Sequence, residues 1–537
     1  MKIKFYKIIL LFFALFIFTE CEEKLNLSPI GQLDSESFYQ SEEDFTAAIL
    51  SPYSNLTIYF HNQDGEDYMR PIMMPSDDAR DTRGENRDEE IFNWIPNNSR
   101  FANIWENTYE GIMRANVIID RLPEADNFSD EDNKIAYEAE AKFLRGFFNF
   151  ILARHWGTPP VVDRLITSLE ETRVSNSEPG EIWDLIESDL RFAADNLTEE
   201  WDEDNRGRAT SWTAKALLGK AQIFRAQWMG EPAKYCDAVD NLEEVISSGP
   251  YQLISDFGDN FRESAENNAE SVFEIQFSRG DFNTWLPVDQ ELQNNAQVGY
   301  AGTARKVYTG AACDNDKCAP GGNVFGYGSI LPTPAIAQAF EPNDARRVQT
   351  VFVEGDMYTE DDVYSAEWSL TGHNIAKYNK PFVTSGFPPN YSGNNERVMR
   401  YSEVLLLAAE ANLLCDGDAQ RAAELVNLVR ERAREYHEVW YGSAAPAGTL
   451  PDRTSSVSED QMMEWIIEER RVELAFEGKR YDDLVRWHRA GIIDIATDID
   501  FGNELANENW SEQHLVKPIP QREIDNNEAL SQNPEYQ

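Results

Sequence analysis

Apolar residues recur at helical spacing in the first half of the chain. The clearest series forms two parallel rows in which residues return every four positions, Ile135, Ala139, Phe143, Phe147 and Ile151 beside Leu144, Phe148 and Leu152. An apolar stripe of this width predicts a helix that packs on two sides. Comparable patterns predict a helix over 105–119, another that Ser177 and Glu178-Pro179 open and that runs to Leu197, and another behind a Thr210 cap.

The C-terminal part repeats this organisation. An Ala/Leu-rich helix is predicted from Tyr401 to Leu414, with its end at Asp416-Gly417, and Asp418 is placed to cap a partner helix over 419–434. A longer helix is predicted from about Ser458 to Phe476, broken by Gly478 and resumed through Trp487. Helix pairs with small residues at their contacts resemble tetratricopeptide units.

The composition changes between the two helical parts. Gly, Asn, Asp, Pro and aromatic residues dominate residues 251–398, where only short β-like pieces such as Val272–Phe277 interrupt the irregular pattern. A second loop-rich stretch covers residues 61–100. Long irregular segments in a compact protein are usually functional or disordered, and the aromatic content of these two favours ordered, functional loops.

The first 20 residues carry the signature of export. Lys2, Lys4 and Lys7 precede an apolar run, Ile8–Phe18, which is shorter than the roughly 20 residues that a membrane-spanning helix needs. A secretory signal is therefore predicted, with a membrane anchor helix as the alternative. Cys21 resembles the lipid-acceptor cysteine of bacterial lipoproteins, although Glu20 stands where these signals prefer a small residue, so a plain secreted protein stays open. Acidic residues directly behind Cys21 resemble the surface-export signal of Bacteroidota lipoproteins.

The charge of the chain excludes one class of partner. The full sequence has 48 basic and 95 acidic residues, and removal of residues 1–20 takes away three Lys and one Glu, which leaves 45 and 94 and a net charge of −49. A field of this sign repels phosphate backbones, so nucleic acid is a poor partner. We attribute the acidity to solubility.

Five cysteines are too few for a disulfide scaffold. Cys313 and Cys318 are predicted to close a small loop by a disulfide, because two ligands alone are too few for zinc. Cys236 and Cys415 lie in helical stretches and are predicted to be buried thiols. No cofactor is expected; structural calcium stays open, since Asp314, Asn315 and Asp316 supply oxygen ligands but match no EF-hand spacing.

A series of motifs runs through the helical parts. It comprises Trp105-x3-Tyr109-x2-Ile112-x2-Ala115-Asn116, Glu140-Ala141-Lys142-Phe143-Leu144-Arg145, Gly157-x2-Pro160, Gly207-Arg208-Ala209-Thr210, Arg400-Tyr401-Ser402-Glu403-Val404-Leu405-Leu406, Glu469-Arg470-Arg471-x-Glu473-Leu474-x-Phe476-Glu477-Gly478-x-Arg480-x2-Asp483-Leu484, and His514-Leu515-x2-Pro518-Ile519-Pro520 followed by Gln532-Asn533-Pro534. In this order and spacing the set resembles the SusD/RagB family of Bacteroidota outer-membrane lipoproteins over essentially the whole mature chain.

This resemblance implies a mostly α-helical fold with tetratricopeptide-like helix pairs and a loop-rich ligand-binding face with short β pieces. The expected organisation is a signal peptide (1–20), a lipidated tether (21–35), an N-terminal helical half (36–250), a variable ligand-binding region (251–398) and a C-terminal helical part (399–537). The resemblance also implies a lipid-anchored, non-enzymatic protein on the cell exterior that captures an oligosaccharide and passes it to a SusC-like TonB-dependent transporter. Capture of peptides, a surface glycoside hydrolase and a structural adhesin are the alternatives.

Exposed aromatic residues in loops are the best candidates for sugar contacts, because a pyranose packs its C–H face on a flat ring while its hydroxyls need polar partners. The candidates are Arg83, Trp94, Asn97, Trp285, Tyr300, Tyr327 and Trp368. The alternative for each aromatic residue is a place in a loop core. Trp105, Trp183, Trp212 and Trp487 follow helical patterns and are predicted to be core residues.

Two dense groups of charge need separate interpretations. Arg70, Arg80, Arg83, Arg87 and Arg100 suggest an acidic glycan, but ten acidic residues between Asp64 and Glu90 argue against a basic patch. The charges between Glu469 and Arg480 are interpreted as a structural ion-pair network rather than a catalytic site. No HExxH, GxSxG, Walker or dinucleotide-binding pattern occurs. Two carboxylates suffice for glycoside hydrolysis, however, so that activity stays open.

Overall fold

The computed structural model describes residues 38–61, 66–81, 87–277, 330–358, 363–378 and 394–537. The helices in these residues are α1 (Glu42–His61), α2 (Glu66–Met73), α3 (Ser99–Arg121), α4 (Glu131–Trp156), α5 (Glu181–Asn196), α6 (Ser211–Met229), α7 (Ala233–Ser248), α8 (Pro334–Ala339), α9 (Arg346–Thr350), α10 (Tyr401–Asp416), α11 (Ala419–Tyr441), α12 (Glu459–Glu473), α13 (Arg480–Arg489), α14 (Ile495–Asp498), α15 (Glu504–Asn509) and α16 (Gln521–Asn526). The strands are β1 (Ala79–Asp81), β2 (Ser271–Ile275), β3 (Ile330–Pro332), β4 (Val351–Phe352), β5 (Asn374–Ile375) and β6 (Glu396–Arg400). The prediction of a mostly helical fold is confirmed.

In the N-terminal part each long helix packs against the next one in sequence, from α3 to α7. The two-sided apolar stripe of α4 makes this possible, because α3 and α5 both cover it. A Cβ at Gly111 of α3 would come within 2.4 Å of the Phe148 ring, so only glycine permits this approach. Helix α5 begins three residues later than the sequence suggests, since Gly180 at its N-cap has a positive φ and the preceding residues form a turn.

The C-terminal helices follow the sequence pattern closely. Helix α10 ends at Gly417 in the left-handed conformation, and the Asp418 carboxylate caps α11 by accepting from the Arg421 backbone N–H at 2.9 Å. Helix α11 extends to Tyr441, beyond its predicted end. Helix α10 also packs against α6 and α7, so the N- and C-terminal parts share one hydrophobic core. This core contains the four tryptophans predicted for it, Trp105, Trp183, Trp212 and Trp487.

The prediction of buried thiols at Cys236 and Cys415 is wrong, because these residues form a disulfide. Helices α7 and α10 pack side by side and bring the two Cα atoms to 5.0 Å, although 179 residues separate them in sequence. Cys236 also lies on the surface. The disulfide therefore closes the chain segment that contains the loop-rich region. Cys21, Cys313 and Cys318 lie outside the described residues, so their predicted roles stay predictions.

Within the part of the chain that the structure describes, none of the helices combines the length and apolarity needed to cross a membrane.

Replacing both Cys236 and Cys415 by Ser should lower the free energy of unfolding by about 2–4 kcal/mol, because the cross-link restricts a long segment of the unfolded chain. Urea denaturation of oxidised wild type and of the double variant measures this difference. Reducing agent should weaken the wild type to the level of the variant and leave the variant unchanged. A further loss of stability when the double variant is reduced would mean that other cysteines provide part of the stabilisation.

Candidate functional site

Three short antiparallel strand pairs hold the ends of the loop-rich segments. In the first stem β1 pairs with β3, with Asp81 opposite Ile330. In the second stem β2 pairs with β6, with Ile275 opposite Glu396. In the third stem β4 pairs with β5. Strand β3 lies beside β5, so the first and third stems are neighbours.

The first stem is fixed to the C-terminal helices by two acidic residues that directly precede β1. The Arg480 guanidinium donates to Asp77 at 2.8 and 2.9 Å, and Arg471 donates to Asp78 at 2.8 and 2.6 Å. The Thr333 hydroxyl donates to the Asp77 carbonyl at 2.7 Å and joins β3 to the same point. Burial opposes ionisation of Asp77, but the two arginines outweigh it and lower its pKa.

A buried ion network fixes the second and third stems. Glu473 on α12 accepts hydrogen bonds from Arg346, Arg400 and Arg432, and Glu477 accepts from Arg400 at 2.7 Å and from Lys377 at 2.7 Å. Arg346 lies in α9 before β4, Arg400 ends β6, and Lys377 follows β5. Residues in or next to β4, β5 and β6 therefore bind the same pair of carboxylates, Glu473 and Glu477.

The electrostatics of this network confirm its structural interpretation. Glu473 is fully buried, and burial alone would raise its pKa, but Arg432, Arg400 and Arg346 hold the pKa well below its usual value. Glu469 is likewise paired with Arg346 at 2.7 Å and Arg430 at 2.9 Å. Arginine side chains thus occupy both Glu473 and Glu469, so neither carboxylate is free to serve as a proton donor or acceptor. Among the described residues no group of His, Cys, Asp and Glu could hold a metal ion.

The third stem carries a second, smaller apolar core, which we call the aromatic lobe (residues 351–358 and 363–376). Phe352 stacks on Tyr364 with ring centroids 5.3 Å apart, and Tyr358 packs beside them. Trp368 is half-buried and meets Tyr358 and Tyr364 edge-on at 5.3 and 5.4 Å. The Tyr364 hydroxyl donates to Asn374 of β5 at 2.7 Å. The lobe thus holds one tryptophan ring in a fixed orientation.

The structure separates the predicted site residues that it describes. Trp368 belongs to the aromatic lobe, whereas Trp94 lies in the main core. Trp94 is only 4 % exposed, packs against Phe101, Tyr481 and His514, and donates from Nε1 to the Glu89 carbonyl at 3.2 Å. Its predicted exposure is wrong, because the C-terminal segment around His514 covers this loop. Asn97, three residues further on, is exposed. Arg83, Trp285, Tyr300 and Tyr327 lie outside the described residues.

The sequence pattern did not predict the aromatic partners of Trp368. Tyr358 and Tyr364 stand six residues apart in an irregular segment, and both pack against Phe352 of β4. The isolated bridge between Met357 and Val363 shows that the chain turns back between them. The sequence signal for this cluster is a run of aromatic residues at short, uneven intervals.

Comparisons with known proteins place this geometry in context. Residues 269–536 match the sequence profile described as SusD family, and residues 44–223 match the one described as "Starch-binding associating with outer membrane". A SusD-like protein of Formosa agariphila is 27 % identical, with 98 % of each chain covered.

Two solved structures share the fold. A SusD homolog from Bacteroides thetaiotaomicron has a TM-score of 0.75 and 21 % identity, and the match covers 94 % of this chain and 99 % of that one. Surface glycan-binding protein A from Bacteroides thetaiotaomicron, in complex with laminarihexaose, has a TM-score of 0.69 and 24 % identity, with 92 % of this chain and 100 % of that one covered.

Glu473→Gln should lower the free energy of unfolding by about 3–5 kcal/mol, because it leaves buried arginines without their shared countercharge. Glu512→Gln is the matched control: this side chain is 70 % exposed in its pair with His488, so its loss should cost less than about 1 kcal/mol. Chemical denaturation of both variants measures the two losses in the free energy of unfolding. Equal, small losses would contradict the structural role of the network.

Proposed function

This chain belongs to the SusD/RagB family, and we propose that it is a cell-surface, lipid-anchored protein that binds a glycan and delivers it to a SusC-like TonB-dependent transporter. The protein acts as a binder in this proposal, and it releases its ligand chemically unchanged. The Cys21 lipid is the tether, and the loop-rich region at the first and third stems is the site of capture.

The aromatic lobe is the observation that carries this proposal. Trp368 is half-buried, its orientation is fixed by Tyr358 and Tyr364, and the lobe is joined through β5 to the first stem. A preoriented indole is the surface on which the C–H face of a pyranose packs with little loss of side-chain entropy. The laminarihexaose bound to surface glycan-binding protein A supports an oligosaccharide as the class of ligand.

The charge pattern supports a neutral glycan. Cations in or next to the stems are paired with buried carboxylates, as Arg346, Lys377, Arg400, Arg471 and Arg480 show. The mature chain, with 45 basic and 94 acidic residues and a net charge of −49, also repels acidic polymers at long range. Arg83, Asn97, Trp285, Tyr300 and Tyr327 remain candidate contacts, and Trp94 is omitted because its ring is buried.

Trp368→Ala should weaken binding of a neutral oligosaccharide at least about tenfold, since truncating an aromatic hot spot costs about 2 kcal/mol. Isothermal titration with laminarihexaose and with hexasaccharides of other linkages measures the effect. Trp465→Ala, which removes a half-buried tryptophan from α12 beside Arg453, is the control and should bind normally.

Two outcomes would count against this assignment. Binding of a peptide library in place of any glycan would favour a peptide-capturing protein. Release of shorter sugars from the bound oligosaccharide by the purified protein would indicate a glycoside hydrolase.

The lipid tether has its own test. Mass spectrometry of the mature protein should find residue 21 at the N-terminus with acyl chains attached, and Cys21→Ala should move the protein from the membrane fraction to the soluble fraction. Glycan affinity of the released variant should be unchanged, because the binding residues lie far along the chain. An unmodified N-terminus in the wild type would refute the lipid anchor but not the proposed glycan binding.

A further inference from the structure

A cavity of about 350 Å³ opens beside the Gly207-Arg208-Ala209-Thr210 motif, and its lining includes no residue of the aromatic lobe. We call it the Trp201 pocket. The residues that matter for its chemistry are Trp201, Arg206, Thr210, Tyr251, Asn267 and Asn268. Its size falls at the small end of ligand pockets in proteins. It therefore has room for a small ligand or for one end of a longer one.

The indole of Trp201 is held rigidly at the edge of this pocket. Its Nε1 donates to the Ala209 carbonyl at 2.8 Å, and the Arg208 guanidinium lies 4.1 Å from the ring centroid. Arg208 is itself fixed, since it donates to Glu140 and to Asn205 at 2.8 Å each. A half-buried tryptophan with both its N–H and its stacking partner fixed is a preorganised apolar surface.

Strand β2 of the second stem also lines this pocket. A Cβ at Gly207 would lie 2.4 Å from the Gln276 side chain, and the positive φ of Gly207 also requires glycine. Gln276 and Asn267 exchange amide hydrogen bonds at 2.9 and 3.0 Å, directly beside β2. The pocket is thus formed where the N-terminal helices meet the strands that hold the loop-rich region.

The charges at the pocket favour an uncharged, hydroxyl-rich ligand. Glu140 neutralises Arg208, and the exposed Glu199 and Glu200 repel an anion. Arg206 is exposed and has no ion pair among the described residues, so its N–H groups can donate to hydroxyl oxygens. Asn268 and Tyr251 line the same space and contribute an amide and a hydroxyl group to its lining.

We propose that the Trp201 pocket is a second saccharide subsite, which binds one or two neutral pyranose rings with the indole of Trp201 against a C–H face and Arg206 at the hydroxyls. This inference rests on the proposed glycan-binding function and adds a site to it. The aromatic lobe belongs to the third stem, whereas this pocket borders the second stem, so the two sites would use different strand pairs.

Fluorine NMR of the full chain labelled with 5-fluorotryptophan tests both sites at once. Trp201→Phe identifies the Trp201 signal by its loss, and Trp368→Phe identifies that of Trp368. Glucose, laminaribiose, cellobiose and maltose are the probes, and sorbitol, which has no ring face, is the control. The Trp201 signal should shift saturably with at least one disaccharide and stay unchanged with sorbitol, while that of the buried Trp156 stays fixed.

Arg206→Ala, at an exposed residue, should preserve the fold and raise the disaccharide concentration for half-saturation at Trp201 at least threefold. A Trp201 signal that does not respond to any of the four sugars would overturn the inference. If Trp368 responds to laminarihexaose while Trp201 ignores all sugars, only the second subsite fails. If Trp201 responds and Trp368 does not, the subsite stands and the proposed role of the aromatic lobe fails.

Discussion

One buried carboxylate pair, Glu473 and Glu477, holds separate parts of the fold together. Four cations from four separate parts of the chain, Arg346, Lys377, Arg400 and Arg432, converge on these two side chains. Each buried charge costs several kcal/mol to desolvate unless its partners are in place, so a chain arrangement that leaves one of them unpaired is strongly disfavoured. The network therefore selects one placement of the stems relative to the helices.

This constraint explains how a mostly helical protein supports a loop-rich face. The strands in the described residues are two to five residues long and pair only in twos, and such sheets are marginal on their own. They persist because ion pairs at or next to their ends join them to α12 and α13, and because the Cys236–Cys415 disulfide closes the segment between the helical parts. The loop sequences between the stems can then differ without disturbing the core.

The sequence pattern correctly predicted those helices and caps that depend on interactions between neighbouring residues. The period-four rows of α4, the Thr210 cap of α6 and the Gly417-Asp418 boundary between α10 and α11 depend on residues within one or two turns of each other. The start of α5 was misplaced because Gly180 takes a positive φ that Glu178-Pro179 does not reveal. Trp94 was expected at the surface because it lies in a loop-rich stretch, yet His514, more than 400 positions later, packs against its ring.

The sequence by itself determined the helical segments, the core tryptophans, the structural nature of the Glu469–Arg480 charges and the family resemblance, because periodicity, caps and motif spacing are written in neighbouring residues. Only the tertiary structure decided that Cys236 faces Cys415, that Tyr358 and Tyr364 frame Trp368, and that the segment around Gly207 meets β2 at the Trp201 pocket. These contacts join residues whose separation in sequence carries no signal, and the packing of helices and stems alone brings them together.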